Sequence, residues 1–391
     1  MINRIKDISN IIELIGDYPV VGILGARQVG KTTIARQIAK IFKDRCENVT
    51  FYDLENSEDL SRLYDPMLAL KPLRGLVILD EIQRKPDIFT TLRVLADRED
   101  SGTKFLVLGS ASPHLLKQSS ETLAGRIHFY ELYGISIQDL GVESSNLLWL
   151  RGGFPKSFTA STDAKSFLWR RNFIKTFLER DLPGLGISVS SETMFRFWSM
   201  LAHYHGQIWN SSEFGRSFGV ADTTVRRYLD KLADCFMVRI LKPWHENISK
   251  RQVKAVKTYI IDSGITHNLL GIRNMDELEK HPKCGASWEG FVIGEIIRIL
   301  GAQNEECYFW ATQAGLELDF LIIRGATRIG FEIKRTSSPF ITPSMKNAIT
   351  DLKLKQLYLI HAGDSSFDLH EKVKAVSIFR IMNDIQSFSP F

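Results

Sequence analysis

Val20-Val-Gly-Ile-Leu-Gly25-Ala-Arg-Gln-Val-Gly30-Lys-Thr-Thr33 decides the fold of the first part of this chain. The apolar run Val20–Leu24 reads as a short buried strand, and helical periodicity runs from about Lys31 to Phe42. Between them, Gly25 to Thr32 fits G-x-x-x-x-G-K-[ST] in the strand–loop–helix setting that this motif requires. The glycines let the backbone double back so that its N–H groups face a phosphate. The helix N-terminus adds a partial positive charge. Gly25, Ala26, Arg27, Gln28, Val29, Gly30, Lys31, Thr32 and Thr33 are therefore expected to bind ATP. Lys31 would reach the β and γ oxygens, and Thr32 would offer its hydroxyl to Mg²⁺.

Working outward, Leu76-Val-Ile-Leu-Asp80-Glu81 is an apolar strand that ends in two acids. Asp80 is expected to hold Mg²⁺ at the carboxyl end of the sheet, and Glu81 to orient or deprotonate water. This pair favours hydrolysis over a small-molecule kinase. Phe105-Leu-Val-Leu-Gly-Ser110 is a further strand ending in a small polar residue, which can bond the attacking water or simply cap a loop. Val49–Leu54 supplies one more strand, with helical stretches between. An amphipathic helix, with Ile5, Ile8, Ile12 and Ile15 at helical spacing, precedes them all. Short apolar strands alternating with helices predict an α/β fold with a parallel sheet.

GARQVGKTT, LVILDEIQ, GSASPHLL and LAGR together resemble the AAA ATPase domain that is joined to a C-terminal domain of unknown function in bacteria and archaea. The resemblance places Ser110 at the sensor-1 position. Arg126, in LAGR, is a candidate arginine finger acting on a neighbouring subunit, with a salt-bridged or solvent-facing arginine as the alternative. A homo-oligomer is the expectation that goes with the first role.

Composition sets wider bounds. The 391 residues are 44% hydrophobic and 24% charged, as in soluble globular proteins of two to three domains. A net charge of +5 leans mildly toward polyanionic partners. Cys46, Cys235, Cys284 and Cys307 form no C-x-x-C, which argues against disulfides and zinc and for a cytoplasmic setting. No run approaches the ~18 apolar residues that a membrane helix needs.

Beyond Gly152-Gly153-Phe154-Pro155 the pattern changes. Ser212–Phe218, Gly219 and the stretch to Leu232 read as helix–turn–helix, with Val225, Leu229 and Leu232 on the core face. Thr223, Thr224, Arg226 and Arg227 are left near or on the outer side. With Phe236–Leu241 as the first strand of a wing, this predicts a winged-helix segment that contacts DNA or docks a protein. Lys250, Arg251, Lys254 and Lys257 are read as nearby positive charge or a solvated basic face. His203 and His205 are expected to pack rather than to bind metal.

Near the end, Gly315–Ile323, the turn Arg324-Gly325-Ala326 and a strand into Phe331-Glu332-Ile333-Lys334 predict a hairpin after a helix that begins at Trp288-Glu289. Glu332 and Lys334 share a face, and Asp319 lies across the hairpin. Glu289, Asp319 and Glu332 are the expected ligands of Mg²⁺ or Mn²⁺, with Lys334 on a scissile phosphate. The spacing resembles the PD-(D/E)xK nuclease fold, although Leu318 stands where that motif has proline.

The expected organisation is an ATPase core over 1–155, a helical linker over 156–190, a winged-helix-like segment over 191–280 and a small α/β nuclease-like domain over 281–391. The expected function is Mg²⁺-dependent ATP hydrolysis coupled to DNA or RNA, with metal-dependent cleavage as an added activity. The rival is an ATP-gated regulatory or protein-interaction module whose last domain cuts nothing.

Overall fold

The computed structural model describes residues 2–98, 102–110, 122–184, 189–246 and 251–385. The chain divides into two compact units. The first is Met1–Ile135 with Asp234–Phe236, and the second is Ser136–Ala233 with Met237–Phe391.

In the first unit, helix α1 (Ile5–Asp17) is followed by β1 (Val20–Gly25), α2 (Lys31–Asp44), β2 (Val49–Asp53), β3 (Gly75–Asp80), α3 (Ile88–Ala96), β4 (Thr103–Ser110) and β5 (Ile127–Glu131). The strands form one parallel sheet in the order β2-β3-β4-β1-β5. Burial explains the pattern: every residue of β1 is buried, as expected for a central strand covered on both faces. The register sets Gly25 beside Ser110 and Asp53 beside Asp80, so the ends of β1, β3 and β4 meet at one edge of the sheet. Helix α1 buries Ile8, Ile11 and Ile15, whereas Ile5 is 69% exposed. The apolar stripe thus runs through Ile8, Ile11 and Ile15 and leaves Ile5 on the outer side.

In the second unit the principal helices are α4 (Asp163–Thr176), α5 (Ser191–His203), α6 (Ser211–Phe218), α7 (Asp222–Asp234), α8 (Ser263–Leu269), α9 (Cys284–Leu300) and α10 (Pro343–Asp351). Its strands are β6 (Gln207–Ile208), β7 (Val238–Pro243), β8 (Lys257–Ile260), β9 (Cys307–Ala311), β10 (Glu317–Arg324), β11 (Thr327–Lys334), β12 (Gln356–His361), β13 (Phe367–His370) and β14 (Val373–Ser377). They form a mixed nine-stranded sheet in the order β13-β14-β12-β11-β10-β9-β7-β8-β6. The strand pair that follows the helices therefore does not stand alone. Lys242 and Pro243 of β7 pair in parallel with Tyr308 and Phe309 of β9, which fuses the middle segment to the C-terminal strands. The β10–β11 hairpin closes on Gly325 and Ala326, and Gly325 adopts the positive φ of 59° that the tight turn needs. Helix α9 is buried along most of its length against this sheet. Among the described residues, no helix is long and apolar enough to cross a membrane, and all four cysteines are free.

Candidate functional site

The loop after β1 is built for close backbone approach. A Cβ on Gly25 would lie 2.3 Å from the Leu132 carbonyl oxygen, so only glycine fits. Gly30, at φ 108°, caps α2 in a conformation that other residues rarely adopt. Lys31 is buried and donates to the carbonyls of Gly25 at 3.0 Å and Ala26 at 2.9 Å. Burial lowers its pKa to about 8, against the raising effect of Glu81 and Asp80. Thr32 Oγ1 donates to Asp80 Oδ2 at 2.7 Å, joining the helix start to the end of β3. Burial raises the Asp80 carboxyl, opposed by the bonds from Thr32 and from the Glu81 N–H. These oxygens are the donors that a hard divalent cation takes.

Glu81 follows at φ 54° and ψ 47°, a left-handed conformation for a residue with a side chain. Such strain costs on the order of 1–3 kcal/mol and concentrates at functional sites. Burial raises its carboxyl, and the Gln83 side-chain amide donates to its Oε2. Gln83 is a residue that spacing alone does not single out. Arg4 is another: it is buried, donates to the Val29 carbonyl of the loop at 3.4 Å and is ion-paired with Asp7 at 2.8 Å. The backbone of Ser110 ends β4 beside Gly25, but its side chain lies outside the described residues, as does most of GSASPHLL.

Arg126 stands elsewhere. Its carbonyl accepts from the N–H of Val20, at the start of β1. The phosphate loop leaves the other end of that strand, roughly 16 Å away at ~3.3 Å per residue. Its guanidinium is engaged by Asp97, with Nη2 donating to Oδ2 at 3.0 Å. The fold thus brings Lys31, Thr32, Asp80 and Glu81 together and leaves Arg126 apart from them.

The second unit gathers the other carboxylates. Asp319 Oδ2 accepts the N–H of Ile333 at 2.9 Å, which ties β10 to β11. Lys334 Nζ lies 3.0 Å from Glu332 Oε1 and 3.6 Å from Asp319 Oδ2. Glu289, from α9, receives the Tyr259 hydroxyl at 2.5 Å and the Lys257 ammonium at 3.3 Å. Lys257 is also ion-paired with Glu317. Burial, followed by the charge of Asp319, raises both Glu289 and Glu332 to about 7.

Lys257 corrects the expectation of a basic surface run. Lys257 and Tyr259 stand two residues apart on β8, so both point to the face where Glu289 lies. Lys257 is only 2% exposed and its charge is committed to acids. Lys250, the first member of that run, lies outside the described residues. A lysine inside an apolar strand must find a partner, and that was the available signal. Among the described residues, no group of three or more His, Cys, Asp and Glu side chains is disposed to hold a metal ion. The Mg²⁺ or Mn²⁺ ligand set expected of Glu289, Asp319 and Glu332 is therefore not assembled as such, because ammonium groups stand among those carboxylates.

The two histidines part company: His205 is buried and His203 is exposed. His205 accepts the Ile260 N–H at 3.1 Å and packs edge-on to Tyr259, whereas His203 ends α5. On α7, Val225, Leu229 and Leu232 are buried, Arg227 is exposed, and Arg226 pairs with Asp230 at 2.9 Å.

Comparison with known proteins finds three family matches along the chain. Residues 17–141 match the AAA domain family. Residues 142–276 match a domain of unknown function (DUF8612), and residues 284–381 match another (DUF4143). Uncharacterized protein Rv2008c of Mycobacterium tuberculosis is 49% identical over 364 residues, covering 93% of this chain and 81% of that protein. Uncharacterized protein Mb2031c of Mycobacterium bovis matches to the same extent. A solved structure, the Walker-type ATPase PABY2304 of Pyrococcus abyssi, aligns with 69% of this chain and 96% of its own at 13% identity, with a TM-score of 0.47.

Proposed function

This chain belongs to the same family as the mycobacterial proteins Rv2008c and Mb2031c and carries an AAA domain, and on that premise we propose that it binds ATP with Mg²⁺ and hydrolyses it. The observation that carries this reading is the 2.7 Å bond from Thr32 to Asp80, beside a buried Lys31 at the start of α2. Gly25 to Thr33 hold the phosphates through backbone N–H groups, with Lys31 on the β and γ oxygens. Thr32 and Asp80 hold Mg²⁺, which when bound neutralises charge on the phosphate oxygens. Glu81 positions water, and Gln83 fixes the Glu81 carboxylate. The test is to follow γ-labelled ATP with purified protein and Mg²⁺. Label released as inorganic phosphate supports the reading. Label found on any other acceptor overturns it in favour of a kinase.

A second reading concerns the other unit: a nuclease-like site that acts on DNA or RNA, with α6 and α7 as a winged-helix contact surface. It is supported by the convergence of Glu289, Asp319, Glu332 and Lys334, and by Glu332 Oε2, which is buried without a hydrogen-bond partner. Cleavage of labelled duplex, single-stranded and branched DNA and RNA with Mg²⁺ or Mn²⁺ tests it. If no substrate is cut, the ATP-gated regulatory role is the better account.

A further inference from the structure

The turn after β3 places two polar side chains side by side. Ile82 is 0% exposed and anchors the turn in the core, while Glu81 at φ 54° swings the chain out of the strand. Arg84 Nη2 lies 3.6 Å from Glu55 Oε1, and Arg27 Nη2 of the phosphate loop lies 3.4 Å from the same oxygen. One carboxylate thus ties the turn to the loop. Within the turn, the Gln83 amide donates through Nε2 to Glu81 Oε2. That bond fixes which way the amide faces, because a reversed amide would set its oxygen against the carboxylate. Gln83 Oε1 is left buried, and among the described residues no group donates to it. A buried carbonyl oxygen without a donor is costly, and beside a catalytic acid it marks a place for a donor from outside the protein. Glu81 also lies within the field of Lys31 and Asp80, so the amide stands near the groups that would hold the γ-phosphate and its cation.

We propose that Gln83 is a second catalytic residue of the first unit, whose Oε1 accepts a hydrogen bond from the water that Glu81 activates. A water held for attack must turn a lone pair to phosphorus, so both of its hydrogens need acceptors. Glu81 takes one and Gln83 the other. Attack forms the bond from the water oxygen to the γ-phosphorus and breaks the bond from that phosphorus to the bridging oxygen, which leaves with ADP. The proton on the Glu81 side passes to that carboxylate. The other stays on the oxygen that becomes part of inorganic phosphate. This inference rests on the reading of the first unit as an ATP hydrolase and adds a direct contact with water to the bond that Gln83 makes to Glu81.

The experiment is a double-mutant cycle on the full chain, read as release of labelled phosphate from γ-labelled ATP in single turnover with Mg²⁺. Affinity for a fluorescent nucleotide is measured beside it, and its retention shows that each variant is folded. Gln83→Met is expected to lower the rate by about tenfold or more while nucleotide affinity stays within about twofold. The same substitution made in a Glu81→Ala chain should again lower the residual rate by about tenfold. A loss that appears only when Glu81 is present would mean that Gln83 works through Glu81 alone, and the assignment fails. Gln83→Lys with Glu81 intact gives a reading that does not depend on the residual rate. Lysine keeps a donor for Glu81 but has no acceptor, so this protein should be as slow as Gln83→Met. Turnover by Gln83→Lys at the parent rate overturns the proposal. If the parent itself releases no phosphate, the hydrolase reading fails and this inference falls with it. If the parent turns over and Gln83→Met matches it, only the role of Gln83 falls.

Discussion

Each unit buries lysine beside acids, but the lysines are held in opposite ways. Lys31 in the first unit gives its ammonium to two neutral carbonyls, and burial pulls its pKa down to about 8. Burial also works against Lys257 and Lys334 in the second unit, yet the surrounding acids prevail and push both upward. A carbonyl is a weak partner for a buried cation, so Lys31 still gains by meeting an anion. A lysine already on carboxylates gains much less. The first arrangement suits the capture of a phosphate, and the second suits holding acids together.

The largest expected effect breaks or keeps the first half of this contrast. Lys31→Ala should lower ATP turnover by at least about 10²–10³, the cost of removing one preorganised charge from a phosphoryl site. Glu81→Gln should retain nucleotide binding and lose hydrolysis, because only water positioning changes. Steady-state phosphate release and equilibrium binding of a fluorescent nucleotide separate the two. Full turnover by either protein would show that the carbonyl-held lysine and its acid partner are not the catalytic pair.

The next effect tests the second half. Lys257→Met leaves Glu289 and Glu317 facing each other without their shared cation. Breaking a buried pair from one side costs roughly 3–5 kcal/mol, whereas removing both partners is far milder. Urea unfolding should therefore show a large loss for Lys257→Met and a clear recovery when Glu289→Gln, which removes the more buried of its two acid partners, is added. Equal losses in both proteins would mean that packing of the lysine stem, not its charge, supports β8.

The same contrast governs what was legible in the sequence. The phosphate loop is contiguous, so its strand, turn glycines, lysine and threonine announce themselves within Val20–Thr33. Asp80 and Glu81 are legible as acids at the end of an apolar strand. Gln83 and Arg4 are not, because one is joined to the site through Glu81 and the other reaches the loop from the preceding helix. In the second unit the β10–β11 hairpin and its acids follow from alternation and turn chemistry. Lys257, Tyr259 and Glu317 do not. Their meeting depends on β7 joining β9, a non-local pairing with no local signature. A run of basic residues on a strand reads as surface until the sheet order is known.

A smaller effect concerns protons. His267 is fully buried, with Nδ1 donating to the Leu150 carbonyl at 3.0 Å and Nε2 accepting from Ser287 at 2.6 Å. That bonding fits only the neutral ring, and burial lowers its pKa to about 3 from 6.5. The sign follows: its stability contribution is present above pH 6.5 and is lost as pH falls toward 3, by up to about 1.36 kcal/mol per pH unit. Glu289 and Glu332, raised to about 7 from 4.5, act oppositely. Their contribution is full below pH 4.5 and is lost as pH rises through 7. The two trends overlap and partly cancel between 4.5 and 6.5. Comparing melting midpoints of the parent and His267→Asn across pH 4 to 7 isolates the histidine, and the variant should show the shallower loss on acidification. Identical slopes would mean that His267 takes up its proton equally in the folded and unfolded states, so that burial does not depress it.

The smallest effect carries the contrast to an exposed helix. Arg226 and Arg227 are neighbours on α7, but Arg226 is tied to Asp230 at 2.9 Å, whereas Arg227 is exposed and has no ion-pair partner among the described residues. The pair is solvated, with side chains 43% and 45% exposed, so it tempers the charge of Arg226 without cancelling it. If α7 meets a nucleic-acid backbone, each arginine on a phosphate contributes about one unit to the slope of log affinity against log salt. Arg227→Ala should then reduce the slope by about one, and Arg226→Ala by less, since Asp230 already competes for its charge. Asp230→Asn should move the other way and strengthen binding at low salt. The three slopes, measured by fluorescence anisotropy on duplex and single-stranded DNA, rank the residues by how far each cation is already paired. Should all three match the parent, α7 is not a phosphate-facing surface, and its helices are better read as a protein-docking module.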